Sequence, residues 1–527
     1  MNKPIRIAIT PLSPLHIGCG EDYEPTRYVV DQDKRLLYSF NPESVRLSKT
    51  LHSELLSAAQ KGQFEDICRF YDKHVKDFRP WAKSIVSLDS GSLAGYRKMI
   101  SPQGNQKRLN FCVQRTAYEV SFSVVVPYVP GSGIKGLIKT AKVDALNQGR
   151  SLGVNDNIDE VFFHVQKNCF ESSPLRFLKV SDLHAVKGDV SSSIHCAKRF
   201  FTEGQLKYCG ISDFFETVNP AQYRAFLGEI TLSDASQNPE ISHVYSSILK
   251  IVGDLNAYSR KVWQYGFGFY RRADPVWTQS VGRLIEDLAP SMQQGKVALV
   301  RLGKNTGADS KTLSEGVAQI EIRHKNKSLP KEKRAHPTTM WFLPEDRKSV
   351  DGTEVASGMP FGWALLEVLD DDEENSVLQT WCEKNRERTI SAQRLLEEER
   401  QTILREREVL QNEIEKALNQ EKAENEKRQK EDNERLAREE ALSKLTPEER
   451  SIENIIVKLS ATTGLINPGS ELFREVKTLL EAALTWERTQ DKKTLAEKIS
   501  PFMKKRGLYQ GKSEKVFKAQ LRELRGE

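Results

Sequence analysis

Lysines and glycines at close spacing are the residues best placed to do chemistry in this chain. Val129-Pro130-Gly131-Ser132-Gly133-Ile134-Lys135-Gly136-Leu137-Ile138-Lys139-Thr140 follows an apolar run from Val120 to Tyr128 and opens a helical pattern through Leu146. A strand, a glycine-rich turn and a lysine-bearing helix can hold a phosphate backbone. Glycines Gly131, Gly133 and Gly136 let a ligand approach the main chain, and a helix start offers free N–H groups and partial positive charge. Lys135 and Lys139 are four apart and share one helix face. The plainer alternative is a helix start with solvated lysines. A second loop, Gly303-Lys304-Asn305-Thr306-Gly307-Ala308-Asp309-Ser310-Lys311-Thr312, follows a strand pattern at Lys296 to Leu302. It is not a nucleotide-binding P-loop, because Ser310 stands where glycine must precede Lys311-Thr312, and no magnesium-binding motif accompanies it.

His16 lies in a third loop, Pro11-Leu12-Ser13-Pro14-Leu15-His16-Ile17-Gly18-Cys19-Gly20. A histidine that titrates near neutrality could serve as the base of a metal-free ribonuclease. No second catalytic partner is visible, so a turn-capping or phosphate-contacting role is favoured. Asp182, His184, Asp189 and His195 flank a serine-rich turn around Gly188, with a spacing that fits no standard metal site. No cofactor or metal is expected.

The elements that must position these loops read as a mixed α+β body. Ile5 to Thr10 alternates as a half-buried strand, and Tyr28 to Asp31 with Leu36 to Phe40 reads as a hairpin. Helical patterns follow to Val86. A loop-like stretch from 87 to 110 holds Arg97, Lys98, Lys107 and Arg108. Further strands are expected at 175–183, 194–201, 223–232, 340–343 and 363–369, and a mostly helical segment at 241–289. One glycine loop in each half suggests two α+β units on one plan, 1–185 and 186–370.

The character changes at Asp370. Residues 382 to 445 hold no glycine or proline and are rich in Glu, Lys, Arg and Gln. Leu396, Ile403, Leu410 and Ala417 sit seven apart, the pattern of a short coiled-coil seam. Beyond Asn419 the apolar positions nearly vanish and opposite charges recur three and four apart, as in a solvent-exposed helix. Such a helix would extend about 90 Å. Thr446-Pro447 restarts structure as an N-cap with proline in the first turn, leading into a small helical domain at 446–527.

Bulk composition sets the remaining bounds. The 527 residues carry a net charge of +6 and a pI near 8.7, too mild to identify a nucleic-acid binder unaided. Seven cysteines form no CxxC pair, which argues for a reducing, cytoplasmic setting over a disulfide scaffold. No run of about 18 apolar residues exists, so no signal peptide or membrane span is expected.

Taken as a set, three phrases resemble the RAMP superfamily of CRISPR-associated proteins. They are Pro14-Leu15-His16-Ile17-Gly18 with Gly20, then Val129 to Gly136, and then Leu302 to Thr312 with the later Pro360-Phe361-Gly362-Trp363. The continuation through Tyr23, Pro25, Thr26, Tyr28 and Asp31 is most similar to the head-capping subunit of type III-A Csm complexes. The resemblance spans residues 5 to 370. It implies two ferredoxin-like, RRM-like domains and a non-catalytic role holding the 3′ region of CRISPR RNA. Target RNA would lie nearby, Csm-type backbone subunits would be partners, and a trimming nuclease is a further candidate. The implied RNA-binding residues are His16, Gly18, Gly20, Gly131, Ser132, Gly133, Lys135, Gly136, Lys139, Gly303, Lys304, Gly307, Lys311 and Thr312. A processing endoribonuclease using His16, or a head subunit of a type III-B complex, is the alternative. The segment His336-Pro337-Thr338-Thr339-Met340 lacks the arginine that the family usually carries there. The resemblance does not lead one to expect the helix and helical tail beyond 370, which are read as reaching a partner protein or the RNA end.

Overall fold

The computed structural model describes residues 4–527 apart from 102–110, 122–123, 151, 153–156, 164, 166–171, 187–189, 234–243, 246, 315–319, 323–331, 345–347, 351, 370–373 and 510–511. Lys107, Arg108, Gly188, Asp189 and the boundary at Asp370 therefore lie outside the described residues. The chain divides into two compact units, Met1–Val409 and Leu410–Glu527.

Among the described residues the first unit has two large sheets beside three two-stranded ones, and both large sheets draw strands from both halves of the sequence. One runs in the order His184–Ala185, Phe226–Leu232, Ile5–Pro11, Trp363–Leu369, Val297–Arg301, with Leu178–Val180 also on Phe226–Leu232. Every pairing in it is antiparallel. The Ile5 to Thr10 segment, expected to be half-buried on one face, takes the centre of the sheet and is buried on both faces, with Ile7, Ala8, Ile9 and Thr10 all fully buried. It therefore pairs at Ile7 with both Gly228 and Val368. The chain's first strand thus depends on partners more than 200 positions away, which no local pattern encodes.

The other sheet has nine strands. The long antiparallel pair Ser192–Phe201 and Tyr208–Val218 forms its spine. The hairpin Tyr28–Asp31 with Leu36–Ser39 is present as expected and adds on through Ser84–Leu88. Thr339–Leu343 pairs with the second half of Ser192–Phe201, setting Trp341 opposite Arg199. The helix Ile248–Ala273 packs Leu255, Tyr258, Val262 and Tyr270 into the main core.

The charged helix Glu387–Ser443 is present, but the first two positions of its apolar seam, Leu396 and Ile403, pack on the first unit's own body instead of on another long helix. Leu396 and Ile403 are buried in one cluster with Val29, Leu36, Tyr38, Phe40 and Phe78. Between them Glu399 is buried, with Lys34 Nζ donating to it at 2.6 Å and the Tyr38 hydroxyl at 3.0 Å. Arg79 bridges Glu399 at 3.3 Å and pairs with Glu406. Arg407 donates to the Pro80 carbonyl at 3.1 Å. A seven-residue spacing marks one helix face but does not say whether another helix or the molecule's own body covers it.

In the second unit, four helices, Pro447–Ala461, Glu471–Ala483, Thr489–Lys505 and Lys512–Arg525, enclose a core of Ile452, Leu459, Phe473, Val476, Leu480, Leu495, Ile499 and Phe517. Thr446 caps the first of them in a reciprocal capping box with Glu449, with Pro447 in the first turn. No helix among the described residues is long and apolar enough to cross a membrane.

Candidate nucleic-acid interface

The motif around His16, the 303–312 loop and the Phe361-Gly362 turn are far apart in sequence and stitched together in space. Gly362 N–H donates to the Pro14 carbonyl at 2.9 Å, and Leu302 N–H to the Gly362 carbonyl at 2.8 Å. Lys304 N–H donates to the His16 carbonyl at 2.8 Å. Gly303 sits at φ +88°, and a Cβ there would stand 2.3 Å from that same His16 oxygen. The glycine is therefore required twice, by its left-handed backbone and by the close approach of another main chain. On its far side the His16 segment is fixed by Leu15 and Val218, which exchange main-chain hydrogen bonds at 3.1 and 2.8 Å.

His16 itself is fully buried. Its Nδ1 lies 2.7 Å from the Glu216 carbonyl, and its ring packs 5.0 Å from Phe215. Burial brings its pKa down to about 4, the carbonyl contact opposing and Lys304 adding to the fall. The ring therefore locks the loop; it does not face solvent, where a substrate would be met. Gly18 and Gly20 are exposed beside it. The pH consequence has a definite sign. The folded pKa lies below the unfolded value, so the unfolded chain takes up the proton first. The His16 contribution is fully present above about 6.5 and is lost as pH falls toward 4. Roughly 2 kcal/mol of stability should disappear between pH 7 and 5. His16→Asn should flatten that part of the pH profile in urea unfolding.

The 303–312 loop satisfies its own hydroxyls. Ser310 Oγ donates to Thr306 Oγ1 at 2.9 Å, and Thr312 Oγ1 to the Ala308 carbonyl at 2.9 Å. Beneath it a buried ion pair joins Arg301 to Asp309 at 3.3 Å, with Arg301 Nε donating to the Phe361 carbonyl at 3.2 Å. Lys304 and Lys311 are left exposed on the outside. Lys304 Nζ donates to Gln114. Partial burial lowers the basicity of Lys311, and Arg301 and Lys304 add like-charge repulsion. Lysines crowded in this way gain from an anion laid between them.

The Val129 phrase is built differently from the cradle that its glycines suggest. The helix begins at Gly131 and runs to Asn147, so Gly133 and Gly136 lie inside its first turns. Gly131 is forced by packing, since a Cβ there would stand 2.4 Å from the Ser181 carbonyl. Its N–H donates to Asp182 Oδ1 at 2.7 Å, so a carboxylate of the chain already occupies part of this helix start. Ser132, Gly133 and Gly136 are exposed, and a Cβ at Gly133 or Gly136 would meet nothing within 4 Å. Lys139 is tied to Asp159 at 2.6 Å. Lys135, its pKa lowered by partial burial, has no ion-pair partner among the described residues. Farther along the helix, Asp144 accepts from Ser314 N–H at 2.7 Å, tying the helix to the end of the second loop. Asp144 is about 20 Å along the axis from Gly131. The two basic features thus belong to one compact unit without forming one cradle.

Of the other histidines, His184 pairs with Glu119 at 2.9 Å and His195 with Asp89 at 3.5 Å. The described residues contain no cluster able to hold a metal ion. In the segment that lacks the expected arginine, His336 stacks on Tyr265 with ring centroids 4.0 Å apart. Sequence reasoning weighed Asp182 only as a metal ligand, gave Asp309 no role and missed Arg301, all of which carry the loop geometry, and it passed over Arg199 and Trp341. The only sequence signal for that last pair was a basic and aromatic run, Lys198-Arg199-Phe200-Phe201.

No protein-family model matches the chain, and no curated protein matches it. Among solved structures, the chain is similar to one in a Csm–crRNA–target RNA ternary complex of a type III-A CRISPR-Cas system. Identity there is 14% and the TM-score 0.42, over 69% of this chain and 100% of that one. It is also similar to T. onnurineus Csm5, at 14% identity and TM-score 0.38, again over 69% of this chain and 100% of that one.

Proposed function

We propose that this chain is a non-catalytic RNA-holding subunit of a type III CRISPR effector complex, placed at the end of the backbone and contacting the 3′ region of CRISPR RNA. The observation that carries the reading is the interlock of the His16 loop, the 303–312 loop and the Gly362 turn. It buries His16 and turns Lys304 and Lys311 outward. A buried histidine held on a carbonyl and flanked by exposed lysines suits binding better than cleavage. The RAMP motif set supports the partners, namely CRISPR RNA, Csm-type backbone subunits and neighbouring target RNA, with a trimming nuclease as a transient partner. The finer architecture that belongs to this reading is two ferredoxin-like units, drawn from sequence as 1–185 and 186–370, that exchange strands.

Filter binding or fluorescence anisotropy of the full chain with single-stranded repeat RNA tests the reading. Lys135→Ala and Lys311→Ala should each weaken binding and reduce the slope of log affinity against log salt by about 0.7. Incubation with the same RNA in EDTA should leave it intact. Metal-free cleavage that disappears in His16→Ala would replace this reading with the endoribonuclease one.

A further inference from the structure

We propose that Trp341 is a stacking platform for one base of single-stranded RNA, with Arg199 and Lys304 forming its cationic rim. This deepens the RNA-holding reading and rests on it.

The strand Thr339–Leu343 alternates, sending Met340 and Phe342 into the main core and Trp341 to the opposite face of the sheet. There Trp341 packs, half-buried, against a small cluster of Ala197, Phe215, Leu343 and Phe361. Its ring meets Phe215 edge-on, at 5.8 Å and 86°. The phenylalanine thus braces the indole. Arg199 is its direct cross-strand partner, with the guanidinium carbon 5.7 Å from the indole centroid. Arg199 Nε is shielded from solvent and has no hydrogen-bond partner among the described residues. Lys304 reaches the same cluster from the interlocked loop, its Nζ 5.9 Å from the Phe215 centroid. The acid among these groups is Asp213; burial raises its pKa, while Lys304 and Arg199 pull it down.

A braced aromatic ring with a guanidinium over it and a lysine over the adjoining phenylalanine is complementary to a base and its flanking phosphates. Stacking accepts any base, because every base has a π-face, and the cations supply the backbone term. A duplex would not fit, since its bases are already stacked and its grooves are read by other means.

The test uses the full chain and a fluorescein-labelled single-stranded RNA. Trp341→Leu keeps apolar bulk and removes the ring; it should weaken binding about 10-fold and leave the salt slope unchanged. Trp341→Phe should stay within about threefold of the parent chain, since a ring remains. Lys304→Ala should instead flatten the salt slope by about 0.7. Independently of any variant, ultraviolet crosslinking to 4-thiouridine RNA should yield an adduct on the peptide carrying Trp341. If Trp341→Leu binds like the parent while Lys135→Ala binds more weakly, the platform is wrong and the RNA-holding reading stands. Adducts confined to other peptides, or equal competition by duplex RNA or an acidic peptide, would also overturn the platform. A chain that binds no single-stranded RNA at all would overturn both.

Discussion

Gly303→Ala is expected to cost about 3 kcal/mol or more of folding stability. A non-glycine residue held at a left-handed φ costs about 1–3 kcal/mol when the surroundings allow no escape. Here the added Cβ would also meet the His16 carbonyl oxygen at 2.3 Å, a backbone atom that cannot turn aside. That oxygen already accepts from Lys304 N–H, so relief by movement breaks the stitch between the two loops. Urea unfolding should show a large drop in midpoint, and the surviving folded fraction should bind RNA weakly because Lys304 and Lys311 lose their frame. Gly133→Ala is the matching control. It lies in the helix Gly131–Asn147 with open space where its Cβ would go, so it should gain up to about 1 kcal/mol from helix propensity. A Gly303→Ala loss below 1 kcal/mol would mean that the loops are not held as described.

Arg301→Leu should be comparably severe, at about 3–5 kcal/mol, because it strands Asp309 as an unpaired buried carboxylate. Arg301 is 4% exposed and Asp309 8%. The guanidinium also lies 5.2 Å from the Trp363 ring centroid and donates to the Phe361 carbonyl, so the substitution loosens the turn that carries Gly362. Replacing both charges by Leu should cost clearly less than the sum of the two single changes, the signature of a coupled pair. A double-mutant cycle by chemical denaturation measures this coupling. Strict additivity would show that Arg301 acts through its ring and carbonyl contacts alone.

The division between sequence and structure follows how local each signal is. The Tyr28–Asp31 and Leu36–Ser39 hairpin and the capping box at Thr446 were legible because both partners lie within a few residues. The long charged helix was legible from composition, since it lacks glycine and proline. Its docking through Leu396, Glu399 and Ile403 was not, because a heptad spacing defines a stripe and leaves its cover unspecified.

By itself, the sequence determined the mixed α+β class, the charged helix and helical tail, and a set of loops worth comparing with RAMP proteins. Tertiary structure decided which of those loops meet. Ile5–Pro11 sits between strands from residues 226–232 and 363–369, and that pairing carries the His16 loop onto the 303–312 loop and the Gly362 turn. It also buried His16, whose neutral side chain tolerates the interior, and tied Lys139 to Asp159 while leaving Lys135 without an ion-pair partner among the described residues. The physical reason is that residue type and spacing fix what a side chain can do, whereas exposure and partners arise from contacts hundreds of positions apart.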